Sequence, residues 1–159
     1  MVENTDKWVI FDLDGTLADI EDRRKLSTKD NGKMDWDKFF DPENISLDKP
    51  NIPVIKMAQA LAETGHKIAI FSGRSKGTEN TTKFWLSQNR VPFSILKLRP
   101  EKHPYRFMPD DKLKKEWLDE LFPFPNALDI VCVFDDRDKV VKMWRDNGLT
   151  CMQVAPGNF

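Results

Sequence analysis

Short apolar segments alternate along the chain with segments of helical periodicity. The apolar segments are rich in β-branched and aromatic residues and end at turn-forming residues, as buried strands do; they lie at residues 8–11, 68–71, 93–96, 130–134 and 151–154. Apolar residues spaced three or four apart predict helices at residues 54–62, 81–89, 111–121 and 138–147. Apolar strands that alternate with helices predict an α/β fold, with a Rossmann-like, mostly parallel sheet flanked by helices.

One region, residues 19–51, interrupts this alternation. It is polar, contains Pro42 and Pro50, and has few regularly spaced apolar residues. We interpret it as a small, partly helical cap that is inserted after the first strand of a single domain over residues 1–159. Four roles remain open for its aromatic residues, namely local packing, a lid, stacking on a base and a dimer contact; these residues are Trp36, Phe39 and Phe40.

Composition narrows the class of protein. The chain has 159 residues and a formal net charge of -1, which excludes a strongly basic protein that coats long nucleic acids. Cys132 and Cys151 cannot form a disulfide framework, so we expect both in the core. His66 and His103 stand apart from other candidate ligands, and we expect neither to bind metal.

No apolar segment is long enough to span a bilayer and residues 1–7 lack a signal-peptide core, so we expect a cytoplasmic protein without a membrane partner.

Acidic residues follow two of the predicted strands. Asp12 and Asp14 come directly after the first strand, and Asp135 and Asp136 after the fourth. Because ligands bind at the carboxyl ends of parallel strands, we expect the four side chains to meet at one edge of the sheet. Carboxylates so close together repel one another unless a cation neutralises them or some are protonated. A ligand set made only of oxygen atoms favours Mg²⁺.

Two further features indicate an anionic substrate. Ser72, Gly73 and Arg74 follow the second strand, where the serine hydroxyl and nearby backbone N–H groups can donate to a phosphate and the glycine permits close approach; a simple turn is the alternative. Residues 97–115 contain seven lysines and arginines against three acids. Such a stretch is either a solvated surface or a source of cations for the substrate.

These residues resemble the haloacid dehalogenase superfamily of phosphotransferases. The resemblance rests on four motifs in order: a strand followed by Asp-x-Asp-Gly-Thr at residues 11–17, a strand ending at Ser72, a lysine, and the acidic pair of Asp135 and Asp136. Any one of these motifs is weak, but the four in this order within an alternating fold are a strong signal.

The chain is also similar to the 3′-phosphatase domain of bacteriophage polynucleotide kinase–phosphatases. The similarity covers residues 8–17 and about residue 53 to the end, and within the cap it is limited to Arg23. The kinase half of those proteins has no counterpart, so we expect a free-standing phosphatase. The shared stretches are residues 72–74, 109–114, 134–145 and 153–159.

The resemblance implies a Mg²⁺-dependent phosphomonoester hydrolase that forms an aspartyl-phosphate. Asp12 is then the nucleophile, and Asp14 is the general acid and base. The ligands of Mg²⁺ are then Asp12, Asp135 and the backbone carbonyl of Asp14. Asp136 binds the ion directly or through water.

The resemblance also implies which residues bind the substrate. Ser72 and Lys114 are expected on the phosphoryl oxygens, and position in the motif favours Lys114 over Lys112 and Lys115. The remaining substrate contacts that it implies, together with Gly73, are Arg23, Arg74 and Arg99.

The substrate itself is the least determined part of this prediction. The leading hypothesis is a 3′-phosphate on a nucleic-acid end or on a nucleotide. One alternative is a nucleoside 5′-monophosphatase whose cap selects the base. Another is a binding module for metal and nucleotide that catalyses nothing.

Overall fold

Five parallel strands form the central sheet of the computed structural model, which describes residues 6–159. The strands of this part of the chain are β1 (Trp8–Phe11), β2 (Ala18–Asp19), β3 (Lys49–Pro50), β4 (Lys67–Ser75), β5 (Ile95–Arg99), β6 (Ile130–Asp135) and β7 (Cys151–Gln153). The central sheet has the order β5-β4-β1-β6-β7, and each neighbouring pair is parallel. The parallel sheet expected from the sequence is therefore confirmed.

Helices cover both faces of this sheet. In chain order they are α1 (Glu21–Ser27), α2 (Trp36–Phe39), α3 (Pro42–Ser46), α4 (Ile52–Glu63), α5 (Glu79–Gln88), α6 (Asp110–Leu121) and α7 (Asp138–Asp146). The four helices expected from periodicity correspond to α4, α5, α6 and α7. The shorter helices α1, α2 and α3 lie in the cap, as the expectation of a partly helical insertion required.

Alternation along β1 divides the core into two layers. Val9 and Phe11 belong to a buried cluster that includes Leu86 of α5 and Ala58 of α4. Ile10 faces the other way, into a cluster with residues of α6 and α7, because successive side chains of a strand point to opposite faces. The two clusters fix β1 at the centre of the sheet, and its carboxyl end is where the candidate site begins. Both cysteines are buried, as expected.

The second central strand differs from its expected bounds. β4 continues to Ser75, so Ser72, Gly73 and Arg74 lie within it rather than after it. The extension forms because Ser75 pairs with Arg99 of β5 after a shift in register that follows Phe71. This irregularity marks the point where the strand leaves the apolar core and meets the site.

The cap is joined to the body by the short β2–β3 ladder and by its own buried side chains. Phe39 and Ile20 belong to the same buried cluster as Val9 and Phe11, whereas 60% of Trp36 is exposed. The first five residues, which include part of the signal-peptide prediction and of the expected domain, lie outside the described residues. None of the helices in the described part of the chain has the length and apolar character that a bilayer span requires.

Candidate active site

Asp12 lies in a tight turn at the carboxyl end of β1. Its N–H donates to the carbonyl of Phe134 in β6 at 2.9 Å, which holds the turn against the neighbouring strand. The N–H of Thr16 donates to the carbonyl of Leu13 at 3.1 Å, and the Thr16 hydroxyl donates to Asp12 Oδ2 at 3.1 Å. The turn therefore fixes both the backbone and the carboxylate of Asp12.

Gly15 allows this turn to pack against a second acid. Its φ of 83° lies in the left-handed region, and a Cβ at this position would overlap the Asp136 carboxylate. The glycine of the Asp-x-Asp-Gly-Thr sequence is thus required both for the turn and for the approach of Asp136.

Three carboxylates meet at this edge of the sheet. Asp12, Asp135 and Asp136 are all buried, and they offer one oxygen atom each within 4.8 Å of one another. Lys114 of α6 is also buried, with its Nζ 2.8 Å from Asp12 Oδ1 and 2.9 Å from Asp135 Oδ2. The Nε1–H of Trp144 donates to the same Asp135 oxygen at 3.2 Å. The expected convergence of Asp12 with Asp135 is therefore present.

Burial and mutual repulsion dominate the electrostatics of this cluster. Burial, together with the charge of Asp135, raises the pKa of Asp12 well above its usual value, although Lys114 acts in the opposite direction. Burial also raises the pKa of Asp136. For Lys114, burial lowers the pKa, but the charges of Asp12 and Asp135 outweigh it and the pKa is raised. One ammonium group therefore stands against three buried carboxylates.

This donor set fits a hard divalent cation such as Mg²⁺. All three side chains offer oxygen atoms, and within residues 6–159 they are the one group of three potential side-chain ligands this close together. A divalent cation would also supply the positive charge that Lys114 alone does not. Neither histidine belongs to the group.

Asp14 does not point into this cluster. Its Oδ1 accepts hydrogen bonds from Arg23 Nη2 at 2.7 Å, from Arg74 Nη2 at 2.6 Å and from Arg74 Nε at 2.9 Å. Burial alone would raise the pKa of Asp14, but the charges of Arg74 and Arg23 outweigh it and the pKa is lowered. The two acids of the Asp-x-Asp sequence thus occupy opposite environments. The expected metal contact through the backbone carbonyl of Asp14 stays a prediction.

Asp48 was not predicted from the sequence, and its carboxylate binds both Arg23 and Arg74. Its carboxylate accepts from Arg23 Nε at 3.0 Å, from Arg23 Nη2 at 2.7 Å and from Arg74 Nη2 at 3.1 Å. Two arginines and two aspartates therefore form one buried network that ties the cap to β4. A buried arginine demands an acidic partner, but the cap contains so many acids that the sequence does not single out Asp48.

The expected substrate contacts have other partners in this structure. Arg23 and Arg74 donate to Asp14 and do not line the cavity, and Arg74 is 0% exposed. The hydroxyl of Ser72 is buried and accepts from the N–H of Arg74 at 3.2 Å. Arg99 donates to the carbonyls of Gly73, Tyr105 and Met108 at 3.1, 2.6 and 2.6 Å.

Asp110, at the start of α6, is a second acid that sequence analysis missed. Its carboxylate accepts from Arg99 Nη2 and, at 2.9 Å, from Arg137 Nη1. A Cβ at Gly73 would lie 2.7 Å from Asp110 Oδ1, so the glycine makes room for this carboxylate. Asp110 therefore links Arg99 of β5 to Arg137, the residue before α7.

A cavity of about 1100 Å³ opens above the acid cluster. Asp12, Asp14, Asp135, Asp136, Lys114 and Gly73 line its floor, and the cap and residues 99–110 contribute its walls. Of the seven cations in residues 97–115, Arg99 and Arg106 belong to the cavity wall and Lys114 to its floor. Lys97 and Lys115 pair instead with Glu120 and Asp119. The basic stretch is therefore part cavity wall and part solvated helix surface.

The chain is similar to known proteins in sequence and in structure. Residues 6–159 match the family described as the polynucleotide kinase PNKP phosphatase domain. A protein of Autographa californica nuclear polyhedrosis virus, named as a bifunctional polynucleotide kinase/RNA ligase, is 31% identical over 144 residues, covering 87% of this chain and 18% of the viral protein.

Solved structures show the same fold. A chain of a Pnkp1/Rnl/Hen1 complex superposes with a TM-score of 0.76 at 28% identity, over 97% of this chain and 47% of that one. A class C acid phosphatase from Bacillus anthracis superposes with a TM-score of 0.60 at 20% identity, over 96% of this chain and 67% of that one. The chain thus spans less than half the length of the first two relatives, and the last comparison bears on the fold alone.

The Asp48 network predicts a large effect of a nearly isosteric substitution. Asp48→Asn removes one of two negative charges that neutralise two buried guanidinium groups. We expect it to lower the free energy of unfolding by about 3–5 kcal/mol, as measured by urea denaturation. Asp22→Asn is the matched control in the same cap, because Asp22 forms an exposed pair with Lys49 at 3.4 Å, which is worth about 0–1 kcal/mol. Equal stability of the two variants would contradict the network.

Proposed function

Because the chain belongs to the polynucleotide kinase PNKP phosphatase domain family and is a phosphatase of the haloacid dehalogenase superfamily, we propose that it removes 3′-phosphates from polynucleotide ends or nucleotides. The proposed reaction requires Mg²⁺ and passes through an aspartyl-phosphate on Asp12. The observation that carries this proposal is that the two acids of the Asp-x-Asp sequence lie in different environments. Asp12 lies in the acid cluster, and Asp14 lies in the arginine network, while both line one cavity.

The substrate class rests on the family and on relatives. The viral relative is named as a polynucleotide kinase/RNA ligase, and another structure of the Pnkp1/Rnl/Hen1 assembly that this chain matches is named as an RNA repair complex. The cavity also suits an end rather than a long duplex, because its basic wall is short and the whole chain carries a net charge of only -1.

In the first step, a carboxylate oxygen of Asp12 attacks the phosphorus and the bond to the leaving oxygen breaks. The Thr16 hydroxyl and the Lys114 ammonium hold the two oxygens of Asp12, so the nucleophile is oriented before the substrate binds. Lys114 also reduces the repulsion between Asp12 and an incoming phosphate. For the leaving oxygen to depart as an alcohol, Asp14 must first take up a proton from solvent and then give it to that oxygen. The two arginines oppose this protonated form, since they lower the pKa of Asp14.

In the second step, water attacks the phosphorus of the aspartyl-phosphate. Asp14, now a carboxylate, takes the proton of that water, and inorganic phosphate leaves while the Asp12 carboxylate is restored. The two arginines hold Asp14 in its charged form, which is the form that this step uses. Arg23, Arg74 and Asp48 are therefore positioning residues for Asp14 in this proposal.

Mg²⁺ would be held by Asp12, Asp135 and Asp136, with the backbone carbonyl of Asp14 as a further ligand. When bound, it neutralises the negative charge of the phosphate and of the acid cluster. The raised pKa of Asp12 supports this role, since a nearby divalent charge favours the ionised form that attacks. Ser72 and Lys114 are proposed to bind the phosphoryl oxygens beside it.

A panel of substrates tests the proposed function. Purified protein with Mg²⁺ is given a 3′-phosphorylated oligonucleotide, a nucleoside 5′-monophosphate and a small aryl phosphate. We expect the highest kcat/KM with the oligonucleotide, no release in EDTA, and recovery on adding Mg²⁺.

Asp12→Asn is the catalytic control for this panel. We expect it to lose about 10⁴-fold or more in kcat while circular dichroism shows an unchanged fold. Preference for the 5′-monophosphate would support a nucleotidase instead. Mg²⁺ binding without phosphate release from any substrate would support a binding module. Comparable rates on all three substrates would refute end specificity.

Asp14→Asn separates acid catalysis from the rest of the mechanism. A 3′-nucleotide leaves as an alcohol and needs a proton, whereas nitrophenolate leaves readily without one. We therefore expect a loss of about 10²–10⁴-fold with the nucleotide substrate and a much smaller loss in the first-turnover release of nitrophenol from p-nitrophenyl phosphate. The measurement is rapid-quench or stopped-flow kinetics under single-turnover conditions. An equal loss with both substrates would contradict the acid role.

A further inference from the structure

The cavity is larger than a phosphate group requires. Its volume of about 1100 Å³ is slightly above the range of roughly 300–1,000 Å³ that holds whole drug-sized ligands. The acid cluster and Lys114 occupy only the floor. The upper walls come from the cap and from the loop before α6, and the residues there have no part in the proposed chemistry.

The cap presents an exposed tryptophan to this cavity. Trp36 lines the cavity with 60% of its surface exposed. It begins α2, which is capped by the Asp35 side chain accepting from the N–H of Lys38 at 3.2 Å. Phe39, one turn further on, is buried and meets the Trp36 ring edge-on, with the ring centroids 5.6 Å apart. Phe39 thus anchors the helix in the core, while the Trp36 ring stays exposed to a ligand in the cavity.

Trp36 is also held at a defined angle. The ring of Phe40 lies 5.9 Å from that of Trp36 with an interplanar angle of only 18°. The cap therefore provides a short aromatic platform rather than a single mobile side chain. An exposed aromatic platform in a cavity is typical of surfaces that bind flat apolar groups.

The segment before α6 provides a second exposed ring. Phe107 lines the same cavity and is 82% exposed. The loop that carries it is fixed by Arg99, which donates to the carbonyls on both sides of it, Tyr105 and Met108. The guanidinium of Arg106 lies over the Phe107 ring at 5.3 Å from its centroid. Rings from two fixed segments therefore line the space above the acid cluster.

The charges of these walls select the kind of ligand. Arg24 and Arg106 line the cavity, but so do Asp37 and Asp41. A mixed rim of this kind does not track a phosphate backbone, which needs a continuous basic groove. Stacking on base faces tolerates such a rim, because its strength comes from the aromatic faces rather than from net charge.

We propose that Trp36 and Phe107 stack on the unpaired bases at the 3′ end of a single-stranded polynucleotide whose terminal phosphate lies at the acid cluster. This inference rests on the proposed function, and it adds the base as the group that the upper cavity binds. Every base has a flat face, so binding is tolerant of sequence and of the sugar. Bases of an intact duplex are already stacked and paired, so a blunt duplex end binds more weakly.

Conservative substitutions test the two rings. Trp36→Leu and Phe107→Leu keep an apolar side chain and remove the aromatic face, whereas Trp36→Phe keeps it. Phe84→Leu is the matched control, because Phe84 is 62% exposed on α5 and lies outside the cavity. The substrates are a 3′-phosphorylated single-stranded hexanucleotide and the same hexanucleotide with abasic sugars at its last two positions.

We expect Trp36→Leu and Phe107→Leu each to raise KM for the normal hexanucleotide about 5- to 150-fold, with little change in kcat. Trp36→Phe recovers most of the loss, and Phe84→Leu has no effect. With the abasic substrate, KM is already high and the leucine variants raise it little further. An unchanged KM for the normal hexanucleotide in both leucine variants would overturn the proposal, and so would an equal rise with both substrates.

Binding without catalysis separates this proposal from the proposed function. Fluorescence anisotropy of a labelled hexanucleotide without a phosphate measures the upper cavity alone. We expect Trp36→Leu and Phe107→Leu to weaken this binding, whether or not the protein hydrolyses a 3′-phosphate. If both variants bind this oligonucleotide as tightly as the unmodified protein, the stacking site is refuted even where 3′-phosphatase activity is present.

Discussion

The site depends on three carboxylates that are buried within 4.8 Å of one another. At an effective dielectric constant of about 20, each such pair of charges costs about 4 kcal/mol at 4 Å, so the cluster persists only with protons or cations beside it. Lys114 supplies one positive charge from α6. The strand order that places β6 beside β1, the glycine at position 15 and the buried lysine all serve this one constraint, and the proposed divalent cation would complete it.

The arginine network gives the second acid a different character. Asp14 is only two residues from Asp12, yet its pKa is lowered while that of Asp12 is raised. The pKa of Asp14 is lowered by Arg74 of β4 and by Arg23 of the cap, and Asp48 of the cap accepts hydrogen bonds from both guanidinium groups. The cap therefore has two roles in our account. Through Arg23 and Asp48 it helps to hold Asp14 in its ionised form, and through Trp36 it offers an aromatic surface to the substrate.

Hydrophobic pattern was sufficient to predict the sheet, its covering helices and the convergence of Asp12 with Asp135, because the position of a residue at a strand end follows from topology alone. It was not sufficient for Asp48, since the choice of one acid among many in the cap depends on the folded path of the chain. The placement of Arg74 behind Asp14 was missed for the same reason. The continuation of β4 through Ser72 was missed because it depends on pairing with Arg99 of β5, a contact between distant residues.

The most direct test of the central claim is the effect of Mg²⁺ on thermal stability, which does not depend on the identity of the substrate. A cation that relieves repulsion in the folded cluster stabilises that state by RT ln(1 + [Mg²⁺]/Kd), about 2.7 kcal/mol at a hundred times Kd. Our account predicts that Tm rises with Mg²⁺ concentration in the unmodified protein and far less in Asp135→Asn. A Tm that does not respond to Mg²⁺, or that rises equally in both proteins, would contradict it.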